Sequence, residues 1–250
     1  MKAMILAAGL GTRLRPLTDD RPKALVTVAG RTLLEIALSR LRAFGVSEVI
    51  VNTHHHADMI VDYLKANDNF GMRIEVSREE TLLDTGGGLK NAACFFLNSG
   101  GSLQQPFILY NVDVISTIDL GRMVWFHTEQ AALATLAVQD RETARYLLFD
   151  EQGQLCGRRA GSDGNAELVR PAGPVQGLAF SGIHVISPQL LTKMTEEGAF
   201  SIIAAYLRLA AQGEKIMAFR ADKCYWRDLG RPENILRAAL DMDSGAYQIT

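Results

Sequence analysis

The chain has 250 residues, 48% of them hydrophobic, and a formal net charge of −2 with acids and bases interspersed. That is enough apolar material for the core of one large α/β domain, and the near-neutral balance argues against the basic stripe of a nucleic-acid binder. No apolar run approaches the length of a membrane span, and the odd, widely spaced Cys94, Cys156 and Cys224 fit reduced thiols of a cytoplasmic protein better than a disulfide framework or a zinc site.

The run Met4-Ile5-Leu6-Ala7-Ala8 predicts a buried first strand over 2–8 rather than a signal peptide, because it leads straight into a glycine-rich loop. Apolar spacing then predicts a helix over 33–44 that stops at Gly45, a strand over 49–52, a helix over 58–66 and a strand over 73–77. Gly86-Gly87-Gly88 is expected to open a helix that runs to about 97, followed by a strand over 107–110, a helix over 120–128 and a strand over 132–138. Short strands separated by helices imply a Rossmann-like three-layer sandwich, α/β, with a mostly parallel central sheet.

Beyond residue 140 the pattern changes. Segments 146–149 and 154–156 flank the turn Asp150-Glu151-Gln152-Gly153 and predict a hairpin, and the polar stretch 162–174 predicts a loop or lid. A strand over 178–186 follows, then helices over 202–212 and 232–241 with strands over 215–219 and 225–226 between them. No linker or repeat divides the chain, so a single domain over 1–250 is expected, its second half adding a substrate-binding subdomain.

The loop after the first strand reads Gly9-Leu10-Gly11-Thr12-Arg13-Leu14-Arg15-Pro16-Leu17-Thr18, with Pro22-Lys23-Ala24-Leu25 close behind. Glycines allow backbone N–H groups to close on an anion, and Arg13 and Lys23 add fixed positive charge, so the loop suits a polyphosphate. Leu14 stands where the dinucleotide fingerprint needs its third glycine, and the Walker pattern is absent. Asp113 closes the apolar strand Phe107–Tyr110, the end at which open α/β sheets place ligands, and can hold Mg²⁺ there. Asp228 stands in Tyr225-Trp226-Arg227-Asp228-Leu229-Gly230, ahead of the last helix. His54-His55-His56 is read as a surface run, since consecutive residues share no face, while His127, His184, Trp125 and Phe126 are read as packed.

The string Gly-x-Gly-Thr-Arg-x-x-Pro-Leu-Thr followed by Pro-Lys-x-Leu, with the Trp-x-Asp-x-Gly segment at 226–230, resembles the sugar-1-phosphate nucleotidyltransferases over essentially the whole chain. Asp84-Thr85-Gly86-Gly87-Gly88 and Ala179-Phe180-Ser181-Gly182-Ile183 look like the short branch of uridylyl- and guanylyltransferases. The resemblance implies the nucleotide-diphospho-sugar transferase fold and Mg²⁺-dependent transfer of a nucleoside monophosphate from a nucleoside triphosphate to a sugar 1-phosphate. It implies Arg13 and Lys23 as catalytic groups and Asp113 and Asp228 as Mg²⁺ ligands. Ala7, Ala8, Gly9, Gly11, Thr12, Gly87 and Asn111 would lie along the nucleotide, and Gly88, Ser181 and Gly182 along the sugar phosphate. Residues 1–140 would then be the nucleotide half, 141–230 the sugar-phosphate half, and 231–250 a C-terminal helix and tail.

Two departures stand out. Val112 precedes the acid where the family usually has glycine, and Cys156-Gly157-Arg158-Arg159-Ala160 occupies the region of a Glu-Lys-Pro element whose lysine binds the sugar phosphate. Arg158 and Arg159 are either its substitutes or solvated arginines of a hairpin. UTP or GTP is the expected nucleotide, with no nucleic-acid or membrane partner and a monomer or small homo-oligomer. A catalytically silent sensing subunit on the same fold and a phosphocholine cytidylyltransferase are the competing readings. The first is disfavoured by retention of Arg13, Lys23, Asp113 and Asp228, the second by the lack of an obvious aromatic cage. Loss of Arg13 or Lys23 is expected to lower turnover while the fold survives, both being read as residues of an exposed loop.

Overall fold

The computed structural model describes residues 1–97, 105–161, 164–171 and 173–247. In chain order the strands are β1 (Lys2–Leu6), β2 (Thr27–Val28), β3 (Arg31–Thr32), β4 (Glu48–Thr53), β5 (Arg73–Arg78), β6 (Phe107–Asn111) and β7 (Val114–Ser116). They continue with β8 (Ala134–Gln139), β9 (Arg145–Phe149), β10 (Leu155–Ala160), β11 (Ala166–Leu168), β12 (Gln176–Ile186), β13 (Ile216–Arg220) and β14 (Trp226–Asp228). The helices are α1 (Leu33–Ala43), α2 (Ala57–Ala66), α3 (Asp84–Asn91), α4 (Ala93–Leu97), α5 (Leu120–Glu129), α6 (Gln189–Thr192), α7 (Ile202–Ala211) and α8 (Pro232–Asp243).

Ten strands form one sheet in the order β11-β10-β9-β12-β6-β1-β4-β5, with β8 and β13 branching from β12. The pairings make β12 and β10 run against the other eight strands. The sheet is therefore mixed but mostly parallel in direction. β1 lies between β4 and β6, in register Leu6↔Asn52 and Leu6↔Asn111. Three strands thus end at one level, and the chain emerging from each lies beside the others, which is where such sheets bind ligands.

Two apolar layers sandwich the sheet. One packs Leu34, Leu38, Leu41, Ile60 and Leu120 against Ile5, Val51, Tyr110 and Ile183. The other packs Leu89, Phe96, Tyr206 and Leu209 against Met4, Leu109 and Leu136. Local chemistry sets the helix starts: Thr32 accepts from the Glu35 N–H at 3.0 Å, Asp119 accepts from the Arg122 N–H at 2.9 Å, and Pro232 opens α8. No helix among the described residues is long and apolar enough to cross a membrane.

Most expected elements are present within two residues of their anticipated ends, but the second hairpin strand runs on to Ala160, the helix expected to reach 97 is split between α3 and α4, and further expectations need correction. Strand β11 lies inside the stretch read as a loop and pairs with β10; residues 162, 163 and 172 of that stretch, like 248–250 of the expected tail, are outside the described residues. Trp125 is 65% exposed rather than packed, because it sits on the outer face of α5, whereas Phe126 does meet Phe219 edge-on. Only His55 of the histidine run is exposed; His54 and His56 are half-buried, and the His54 ring bonds the Glu79 carbonyl at 2.9 Å. Helix α3 begins at Asp84, ahead of the three glycines rather than at them.

Candidate active site

The chain leaving β1 turns at Gly11 (φ +65°), where a Cβ would lie 2.9 Å from Thr18 Cγ2 and 3.1 Å from Lys23 Cβ. Only glycine accommodates that backbone and that approach. Thr18 Oγ1 donates to the Gly11 carbonyl at 2.9 Å, folding the loop back on itself. Two single-turn helices, Thr12–Leu14 and Lys23–Leu25, carry Arg13 and Lys23. Thr12 and Arg13 are exposed. Lys23 is not: its side chain is 13% exposed and Nζ donates to Asp113 Oδ2.

Asp113 follows β6, and the ribbon of β7 and β14 brings Asp228 back to it. Trp226 pairs with Ser116 and Asp228 with Val114, and the Leu229 N–H donates to the Asp113 carbonyl at 2.7 Å. Asp228 is held by the Gly230 N–H on Oδ1 (2.6 Å) and by Asn234 Nδ2 on its carbonyl (2.8 Å). It lies on a strand, and Arg231, not Asp228, is the N-cap of α8. A Cβ at Gly230 would sit 2.7 Å from Asp228 Oδ1, 3.1 Å from Arg13 Nη2 and 3.4 Å from Asp113 Oδ2. Residues 13, 113 and 228, far apart in sequence, therefore converge on one small space.

A cleft of about 370 Å³ opens beside them, its lining including Ala8, Gly9, Lys23, Asn52, Asn111 and Asp113. Asn52, which lines it, and Glu79, bonded to Asn52, were missed by sequence reasoning. Asn52 Oδ1 accepts from the Ala7 N–H at 2.7 Å, Asn52 Nδ2 donates to Glu79 Oε1 at 2.7 Å, and Glu79 Oε2 accepts from the Leu83 N–H at 3.0 Å. This buried, hydrogen-bonded chain ties the end of β1, where the glycine-rich loop begins, to the approach of α3. Asn52 had a readable signal, a polar residue closing the apolar run 49–51; Glu79 had none; Gly230 stood unremarked inside a recognised motif.

The glycines of α3 act differently from expectation. The Gly86 and Gly87 N–H groups donate to the Phe200 carbonyl at 2.9 and 3.3 Å, so they are not free for a ligand. A Cβ at Gly87 would meet the Gly198 carbonyl at 2.5 Å, and one at Gly88 would lie 2.7 Å from both Asn52 Nδ2 and Glu79 Oε1. Their smallness lets α3 press against the segment before α7 and against the Asn52–Glu79 pair. On the other flank, Gly182 (φ +74°) leaves room for Asn111, whose Nδ2 would be 3.0 Å from a Cβ there. The neighbouring Ser181 carbonyl accepts from Trp226 Nε1 at 2.7 Å, while Ser181 Oγ is buried without a hydrogen-bond partner. Asn111, Ser181, Gly182 and the strand of Asp228 thus form one connected wall.

Two carboxylates facing a space that a single methyl would fill make a fitting seat for Mg²⁺, a hard cation that takes one or two carboxylates and completes its shell with phosphate oxygens and water. Lys23 and Arg13 beside them supply donors for phosphate.

The profile of the nucleotidyl transferase family matches residues 2–245. The chain belongs to that family. It is 36% identical over 247 residues to an N-acetylmuramate alpha-1-phosphate uridylyltransferase of Caulobacter vibrioides, covering 94% of each chain. A mannose-1-phosphate guanylyltransferase of Mycobacterium tuberculosis is 29% identical; that match covers 97% of this chain and 65% of the relative. The crystal structure of HddC from Yersinia pseudotuberculosis superposes with a TM-score of 0.76 at 23% identity, covering 96% of this chain and 99% of that one. The expected fold and enzyme class therefore hold: the chain is a nucleotidyltransferase.

Proposed function

We propose that this enzyme transfers UMP from UTP to N-acetylmuramate α-1-phosphate, giving the UDP-sugar and pyrophosphate. The observation that carries this reading is the 36% identity to the Caulobacter uridylyltransferase along 94% of both chains. The guanylyltransferase relatives extend well beyond the matched region, which makes GTP with mannose 1-phosphate the second reading.

The sugar-phosphate oxygen is already an anion near neutral pH, so the transfer needs no general base. That oxygen attacks the α-phosphorus, the bond from the α-phosphorus to the bridging oxygen breaks, and its electron pair leaves with pyrophosphate. Catalysis is then positioning and charge stabilisation. The backbone of Ala7, Ala8, Gly9, Gly11 and Thr12 borders the triphosphate, with Arg13 neutralising the leaving pyrophosphate. Lys23, bonded to Asp113 before substrates arrive, turns to the α-phosphate and the incoming oxygen. Asn111 serves the nucleotide side, as does Gly87 by letting α3 pack close rather than through its N–H, and Gly88, Ser181 and Gly182 serve the sugar-phosphate side. Asp113 and Asp228 would hold Mg²⁺, which when bound neutralises phosphate charge and aligns the reacting groups.

The test is pyrophosphate release across a grid of nucleoside triphosphates and sugar 1-phosphates with Mg²⁺. Turnover confined to UTP with N-acetylmuramate 1-phosphate is expected. Turnover with GTP and mannose 1-phosphate alone would select the second reading.

A further inference from the structure

Two arginines of the second half lie against aromatic rings, without an ion pair to any described carboxylate. Arg141 follows β8; its Cζ lies 3.6 Å from the centroid of the Trp226 ring, and one Nη donates to the Phe180 carbonyl at 2.8 Å. Arg159 on β10 has its Cζ 5.2 Å from the Tyr146 ring, and its Nη2 would be 3.1 Å from a Cβ at Gly177, so glycine there leaves its path open. The Nε of each is buried without a hydrogen-bond partner. Neither forms an ion pair with a described residue.

The half-buried Arg31, Arg208 and Arg227 behave otherwise, meeting Glu35, Glu196 and Asp241 at 2.8, 2.6 and 2.6 Å. Arg158, next to Arg159, is exposed and paired with Glu167 at 2.7 Å. Arg40 shares an orphaned Nε, but it lies on α1 and donates to the Ile118 carbonyl. A buried Nε–H left unbonded, on a half-buried side chain without an ion pair, carries a cost that a ligand supplying an acceptor would remove.

Strand register and Tyr146 relate the two. Gln139, Ala179, Tyr146 and Arg159 stand opposite one another across β8, β12, β9 and β10, which puts them on one face. Arg141 is two residues past Gln139, with its guanidinium on Trp226, the residue two before Asp228 on β14. Burial pulls the Arg141 guanidinium below its ordinary value, while the Asp228 carboxylate and Tyr146 pull it back up, so both lie within its field. Each aromatic ring lies within cation–π distance of a guanidinium and offsets part of its desolvation, and the N–H groups not given to the Phe180 carbonyl can meet an oxyanion.

We infer that Arg141 and Arg159 form the receptor for the phosphate of the sugar 1-phosphate, in the place left by the lysine this chain lacks. The inference rests on the proposed transfer but not on the identity of the sugar, since the phosphate is common to every candidate. Planar guanidiniums bind phosphate through paired N–H donors, which a lysine cannot do.

The test varies the sugar 1-phosphate at saturating nucleotide, with the pair that the wild type turns over. Arg159→Met and Arg141→Met should each raise its KM by about tenfold or more with the nucleotide KM unchanged. Arg158→Met, on the same hairpin, should leave both KM values alone. If Arg141→Met fails to fold, Arg141→Lys, which keeps the charge and loses the planar fork, carries that arm. An unchanged sugar-phosphate KM in folded Arg141 and Arg159 variants overturns the receptor, as does an equal rise in both KM values. Wild-type turnover with GTP and mannose 1-phosphate would contradict only the proposed substrates, and the same KM ratios are then read with that pair.

Discussion

Gly230 has no side chain, and the space this leaves is where Asp113, Asp228 and Arg13 meet. Gly230→Ala would put a Cβ 2.7 Å from Asp228 Oδ1 and 3.1 Å from Arg13 Nη2. Both are ends of side chains, so the fold can yield, but only by displacing the proposed Mg²⁺ ligand and the proposed pyrophosphate contact. Turnover should fall by about 100-fold with the melting temperature little changed, read by steady-state kinetics beside thermal unfolding. Lys23 makes a different case. The sequence suggested an exposed loop lysine, but its side chain is 13% exposed and bonded to Asp113, which is equally enclosed. Lys23→Ala should lower turnover by roughly 10²–10³ through loss of charge at the transferring phosphate. It should also leave a carboxylate unanswered, so the melting temperature of the metal-free protein should drop as well.

At the scale of elements, α3 shows what periodicity cannot read. Its three central glycines suggested a loop opening a helix, because glycine is a poor helix former. Tertiary packing overrides that preference: the Phe200 carbonyl bonds two of the glycine N–H groups, and side chains would have nowhere to go. Gly86→Ala would place a Cβ 2.9 Å from the Phe200 carbonyl and against its ring. Overpacking there should destabilise by about 1–3 kcal/mol. The melting temperature should fall by roughly 2–4 °C for each kcal/mol, measured by calorimetry. The ribbon of β7 and β14 was half legible: Trp226 was read as strand, but β7, only three residues long, has too few positions to show alternation. Its role of returning Asp228 to Asp113 is a long-range pairing that no local pattern announces.

Over the whole molecule, the parts written locally were readable and the parts made by convergence were not. Strand ends and the glycine-rich loop follow from apolar runs and motif spacing, and Asp228 was singled out through the family resemblance, whereas the Asn52–Glu79 chain and the Arg141–Trp226 contact exist only once distant strands pair. Two buried histidines set a further global property. His127 bonds Thr135 and Ser187 at 3.0 Å each, and burial brings it down to about 4; His184 bonds the Tyr206 hydroxyl at 2.8 Å and is brought down to about 3. Unfolded, both take up protons near their ordinary value of 6.5. Stability should therefore hold above pH 6.5 and fall as pH drops toward 4, by on the order of a few kcal/mol in total, as denaturant titrations across that range would read. The central claim concerns the two acids, and one measurement addresses it most directly: pyrophosphate release by Asp228→Asn at saturating substrates and Mg²⁺, beside the wild type. A rate at least about 100-fold lower in a protein of unchanged melting temperature is predicted; a near-wild-type rate would contradict the placement of the transfer centre between Asp113 and Asp228.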